Sequence, residues 1–177
     1  MLVTVANAWP VRILQHPNES KHALGTARIA SLCLQDCELA IASHHKTAEL
    51  VAAQENPILL YPGPDSIPLD SLLGDQARPL IVIDATWRKS RRMLLESPSL
   101  AKLPRYCLPS PPSSRYRIRR EPNSQALSTL EAIVHSLALL EGGIDAFAPM
   151  LKIMDALVDE QIAQMGQDVY ERNYHTD

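Results

Sequence analysis

The sequence predicts an α/β fold in which a mainly parallel sheet is flanked by helices. Three observations carry this. Short β-type runs alternate with helical stretches, the order that builds parallel sheets. The strongest run, "LIVIDA" at 80–85, is apolar at nearly every position, as in a strand covered on both faces. A chain of 177 residues suits one domain, and at this length it buries roughly 70% of its unfolded surface.

The elements follow in order. "VRILQH" (11–16) reads as the first strand. "SKHALGTARIASLCL" (20–34) has helical spacing at Ala23, Ala27, Ala30 and Leu34. "CELAIA" (37–42) reads as a second strand, and "TAELVAAQ" (47–54) as a short helix capped by Thr47. "NPILLYPGP" (56–64) is an apolar strand stopped by a Pro-Gly-Pro turn. "LIVIDA" leads into a helix, "WRKSRRMLLE". "RYCLPSPPSSRYRIRREP" is a Pro- and Ser-rich loop around a short β run at 116–120. "LSTLEAIVHSLALLEG" (127–142) is an amphipathic helix with a capping box, Ser128 with Glu131, and Gly142 at its end. A last helix covers 147–165, apolar enough to pack internally or on a second copy, and "YERNYHTD" reads as a frayed tail.

Composition narrows the class. At 46% hydrophobic and 21% charged the chain is an ordinary globular protein, and at 5% aromatic its core must be mainly aliphatic. The opening "MLVTVANAWPVRILQH" lacks the basic region of a signal peptide, and Pro10 and Arg12 interrupt it. No apolar run approaches the ~20 residues of a membrane span. A cytoplasmic protein is expected. Cys33, Cys37 and Cys107 match neither a disulfide framework nor a zinc motif, so ordinary thiols and no metal are expected. His44 and His45 are adjacent and point different ways, so they do not read as a metal pair; His135 reads as packed or surface.

The net charge of −3 hides a segregation. Residues 88–120 hold ten of the seventeen Lys and Arg against one acid, Glu96, or about +9, while the rest of the chain is at −12. Clustered cations on an acidic body point to a local polyanion site.

In open α/β sheets, ligands bind outside the carboxyl ends of the strands. Three features map there: "LLYPG" (59–63), where Gly63 lets backbone approach a ligand; Asp84 at the end of "LIVID"; and "LSTLEA" (127–132), where a helix N-terminus offers free N–H groups. Each has a local reading too: a turn, an N-cap, a capping box. Together they fall at the strand ends of one small sheet. Glu19, in "QHPNES", reads either as a solvated acid at a helix start or as a partner for a cation of the basic segment.

"DATW" followed by "RKSRR" resembles the signature of the DTW-domain family, Asp-x-Thr-Trp with a small residue and an Arg, here Ser90 and Arg91, at the third and fourth positions after the Trp. "LQHPNES", Thr26 in "LGTARIA", "LLYPG", "YRIRREP" and "LSTLEA" stand in the family's order, so the resemblance spans about 11–141. It implies a fold akin to the SPOUT methyltransferases, with a C-terminal knot. It implies tRNA-uridine aminocarboxypropyl transfer, in which the 3-amino-3-carboxypropyl group of S-adenosylmethionine passes to N3 of a tRNA uridine and methylthioadenosine leaves. The family's cysteine-rich N-terminal segment has no counterpart before the first strand. On this resemblance Asp84 is the base or the group orienting the uracil, with Thr86 beside it in the motif. Trp87 stacks on a base, and Arg91 pairs with the methionine carboxylate. Leu60, Tyr61, Pro62, Gly63, Leu127, Ser128, Thr129 and Glu131 surround the cofactor. Arg88, Lys89, Arg92, Arg115, Arg117, Arg119 and Arg120 meet tRNA phosphates. An S-adenosylmethionine-dependent RNA methyltransferase would need the same pocket. A non-enzymatic RNA-binding domain would keep the arginines without needing Asp84.

Overall fold

A computed structural model describes residues 3–19, 25–41, 49, 51, 53, 55–118 and 126–174. Six parallel strands form one sheet: β1 (Val11–Gln15), β2 (Cys37–Ile41), β3 (Ile58–Leu60), β4 (Ile67–Pro68), β5 (Leu80–Asp84) and β6 (Arg105–Cys107), in the order β2-β1-β5-β3-β6-β4. Among the described residues the α-helices with defined bounds are α1 (Thr26–Cys33), α2 (Trp87–Glu96), α3 (Pro98–Ala101), α4 (Thr129–Glu141), α5 (Ala148–Met165) and α6 (Gln167–Tyr174), and positions 49 and 51 are also helical.

The period-two geometry of strands sorts each one between two cores. Val11 and Ile13, Ile58 and Leu60, and Leu80 and Val82 face a core shared with α1, α4 and α5. Leu14, Leu59 and Ile81 face a smaller core with Met93 and Leu94 of α2 and Leu100 of α3. Both faces are covered, which is why the strand runs are apolar without alternation. β1 connects outward to β2, whereas β5 connects the other way to β6. Two right-handed crossovers running in opposite directions put their helices on opposite faces, as α1 and α2 are found.

Several boundaries differ from expectation. The 56–64 strand is only Ile58–Leu60, because Pro57 and the turn at 61–64 remove pairing on either side. β4 and β6 were not expected. β6 lies inside the supposed loop, between β3 and β4, and β4 tolerates Pro68 because it is the edge strand. The β run at 116–120 is no strand over its described part, 116–118. Its neighbour Arg115 donates its N–H to Glu131 at 2.5 Å, and the Arg117 carbonyl accepts from Tyr170 Oη at 3.4 Å, in place of a ladder. The tail is helical to Tyr174, because Tyr170 is buried and stacks on Tyr174 with ring centroids 5.7 Å apart. Helix α1 starts at Thr26, with Gly25 at its N-cap. The expected helix start at 20–24, Ala42, His44, His45, Thr47 and most of the 47–54 helix lie outside the described residues. So does 119–125, through which the chain reaches α4 and on which the expected knot depends. The thiols are free, with Cys33 buried and burial pushing Cys37 up to about 12.

Candidate functional site

The crossovers part between β1 and β5, and a crevice forms outside the strand ends at such a point. A cleft of about 750 Å³ opens there, in the usual size range for a small-molecule site. β5 contributes Val82, Ile83 and Asp84 to it; the β3 end contributes Leu60, Tyr61 and Pro62. The start of α4 adds Leu127, Ser128 and Thr129, and the loop before α4 adds Tyr116 and Ile118. Thr86, Trp87 and Ser90 come from the start of α2.

Asp84 faces neutral donors. Its Oδ1 accepts from Thr129 Oγ1 at 2.5 Å and its Oδ2 from Gln15 Nε2 at 2.9 Å. The parallel register of β1 and β5 sets Gln15 beside Asp84, while Thr129 arrives from the first turn of α4, 45 residues away in sequence. A carboxylate offers about four lone-pair sites, so two remain for a ligand. Among the described residues no cation lies within ion-pair distance of it. Nor does it cap α2, whose N-cap is Thr86.

Trp87 is fixed by its neighbours yet 45% exposed, so part of its ring is available to a ligand. Its indole meets Tyr61 edge-on, with ring centroids 5.7 Å apart. Tyr61 Oη lies 3.1 Å from Ser90 Oγ, which also donates to the Trp87 carbonyl at 3.0 Å. The Arg105 guanidinium sits over the Tyr61 ring at 5.9 Å.

The other expected residues divide. Gly63 and Glu131 do not line the cleft. Gly63 is held in a turn with Ser66, and Glu131, 1% exposed, does more than complete the capping box. Its carboxylate accepts from Ser128 N at 2.7 Å, from Ser114 Oγ at 2.8 Å and from Arg115 N. It bolts the loop to the start of α4. His135, one turn further on, has its pKa lowered by burial, opposed by Glu131 and reinforced by Arg115.

Four of the eight described cations in the basic segment pair with acids. Lys89 binds Glu19 at 2.7 Å, the paired reading of Glu19, and Arg92 binds Glu96. Arg115 and Arg117 bind Asp155 and Asp159 of α5. Arg88 and Arg91 are exposed on α2, and neither has an acid partner among the described residues; Arg91 is not part of the cleft lining. Arg119 and Arg120 lie outside the described residues. Sequence reasoning missed Gln15, Tyr116 and the α5 acids. For Gln15 the signal was there, a polar residue ending an apolar strand.

The chain matches the DTW domain family over residues 2–162. It belongs to that family. Among curated relatives, tRNA-uridine aminocarboxypropyltransferase 2 of Drosophila melanogaster is 32% identical over 160 residues, 85% of this chain and 63% of that one. The enzymes of the same name from Macaca fascicularis and Mus musculus are 31% and 29% identical, over 88% and 92% of this chain and 55% and 58% of theirs. This DTW chain thus spans about three fifths of the length of these relatives. No solved structure matches it. Among the described residues no group of three His, Cys, Asp or Glu could hold a metal ion, and no helix is long and apolar enough to cross a membrane.

Proposed function

We propose that this DTW chain is a tRNA-uridine aminocarboxypropyltransferase that uses S-adenosylmethionine as donor and releases methylthioadenosine. Family membership and the names of its relatives support the reaction class. The observation that carries the reading to a residue is Asp84, a carboxylate in the cleft with both oxygens oriented and lone pairs left over.

The chemistry requires an imide nitrogen to attack the carbon next to a sulfonium. A bond forms from uridine N3 to that carbon, the carbon–sulfur bond breaks, and its electron pair stays on sulfur. The N3 proton passes to Asp84, which is suited to this as an oriented base. Gln15 and Thr129 keep the carboxylate in register, and positioning decides whether this carbon or the methyl reacts. Thr86 is exposed beside Asp84. Trp87 stacks on the uracil. Leu60, Tyr61, Pro62, Leu127 and Ser128 give an apolar bed with backbone donors for the adenosine. The free N–H groups of the first turn of α4 suit the methionine carboxylate. Arg88 and Arg91, exposed on α2, meet RNA phosphates. The chain works in the cytoplasm on this reading.

The test uses S-adenosylmethionine labelled either in the methyl or in the aminocarboxypropyl chain, with unmodified tRNA and mass spectrometry of the digested nucleosides. Label from the chain alone, with methylthioadenosine released, is expected. Label from the methyl alone would overturn the reaction while keeping the pocket.

A further inference from the structure

The loop segment 114–118 alternates in a way that no ladder explains. Arg115 and Arg117 are exposed, whereas Tyr116 and Ile118 are half-buried and line the cleft. The arginines do not extend into solvent. Arg115 is paired with Asp155 and Arg117 with Asp159, both on α5. The two spacings match. Residues i and i+2 of an extended chain lie about 6.6 Å apart. Residues i and i+4 of a helix are separated by about 6 Å along its axis. Laid along α5 by these two pairs, the segment meets both acids in register, and its exposed arginines alternate with Tyr116 and Ile118 on the cleft side. The upstream end of the strip is bolted by buried Glu131, which takes Ser114 Oγ and the Arg115 N–H. Further along, Tyr170 Oη of α6 donates to the Arg117 carbonyl. Asp159 also raises the pKa of Arg117, consistent with a close pair.

We infer that Asp155 and Asp159 are positioning residues for the cleft: acting through Arg115 and Arg117, they hold the wall formed by Tyr116 and Ile118 against the donor substrate. The two arginines are then a clasp, and the RNA grip falls to cations elsewhere, such as Arg88 and Arg91. The role toward S-adenosylmethionine rests on the proposed function; the clasp itself does not. Because both pairs are exposed, each is weak and weakened further by salt. The wall is therefore bolted at 114–115 by buried Glu131, and held at 117 by the exposed Asp159 pair together with the Tyr170 hydrogen bond.

The experiment compares the full chain with the Asp155→Asn/Asp159→Asn variant and with a charge swap, Arg115→Asp/Asp155→Arg. Melting temperature serves as the folding control. Calorimetry with S-adenosylmethionine is expected to show binding weakened about fivefold in the Asn variant, the size expected of two exposed pairs. The swap is expected to bind more tightly than Arg115→Asp alone. In turnover, KM for the donor rises while kcat is kept. The affinity for tRNA is unchanged or higher in the Asn variant, since two negative charges are removed. Unchanged donor affinity, or a swap no better than Arg115→Asp with tRNA binding lost in both, would overturn the clasp and return Arg115 to the RNA. If the unaltered chain binds no S-adenosylmethionine, the proposed function fails. The clasp is then read by hydrogen exchange of the 114–118 amides, where faster exchange in the Asn variant supports it and unchanged exchange refutes it.

Discussion

Replacing Glu131 by Gln tests how the two sides of the cleft are joined. The change keeps shape and volume. It removes the charge and turns one acceptor oxygen into an amide donor. Oε2 serves two donors, Ser114 Oγ and Ser128 N, whereas Oε1 serves Arg115 N. The Gln side chain therefore orients its oxygen to the Oε2 position and presents its NH₂ to the Arg115 N–H. One charge-assisted bond is lost outright and two others become neutral. At 1% exposure, water cannot readily replace them. A hydrogen bond to a charged group contributes about 1.5–3 kcal/mol, so the expected loss is about 2 kcal/mol. For a chain of this length that lowers Tm by about 4–8 °C. Urea and thermal unfolding measure it, and Ser114→Ala, which removes only one donor, should cost less. A loss under about 0.5 kcal/mol, the size of an ordinary surface change, would refute the buried bolt.

Asp84→Asn should lower transfer by about 10²–10⁴ with tRNA affinity kept, read by single-turnover kinetics; full activity would remove Asp84 from the mechanism. Arg88→Ser with Arg91→Ser should weaken tRNA binding and lower the slope of log affinity against log salt by about 0.7–0.9 for each phosphate no longer neutralised, measured by titration at several salt concentrations. Burial lowers the pKa of His135, so below pH 6.5 the unfolded chain takes a proton that the folded chain resists. Stability present above that pH is lost as pH falls, and His135→Gln should flatten this part of the urea-midpoint profile. Cys37, pushed up to about 12, carries on the order of one thiolate in ten thousand at pH 8, so iodoacetamide should label it only after unfolding.

Local chemistry made much of this protein legible in sequence. Apolar runs without alternation announce strands covered on both faces, and "LIVID" became the buried β5. Ser128 with Glu131 announces a helix start, and the capping box is there. Each signal is carried by residues a few positions apart, so the sequence alone determined it. The short strands were not legible. β6 and β4 are three and two residues long, and neighbours across the sheet select such lengths more than their own residues do. The same holds for the site. "LIVIDATWRKSRRM" shows an acid followed by cations and suggests that they face each other, but Asp84 instead faces Gln15 and Thr129, 69 and 45 residues away. Of the cations with partners, Arg92 took Glu96 one turn on, but Lys89 took Glu19, and the later Arg115 and Arg117 took acids on α5. Which groups meet across the chain depends on strand order and helix packing, and a separation of 40 to 70 residues leaves no periodic trace. The sequence determined which chemistry was available; only the tertiary structure decided which carboxylate stayed open to a ligand and which cations were already taken.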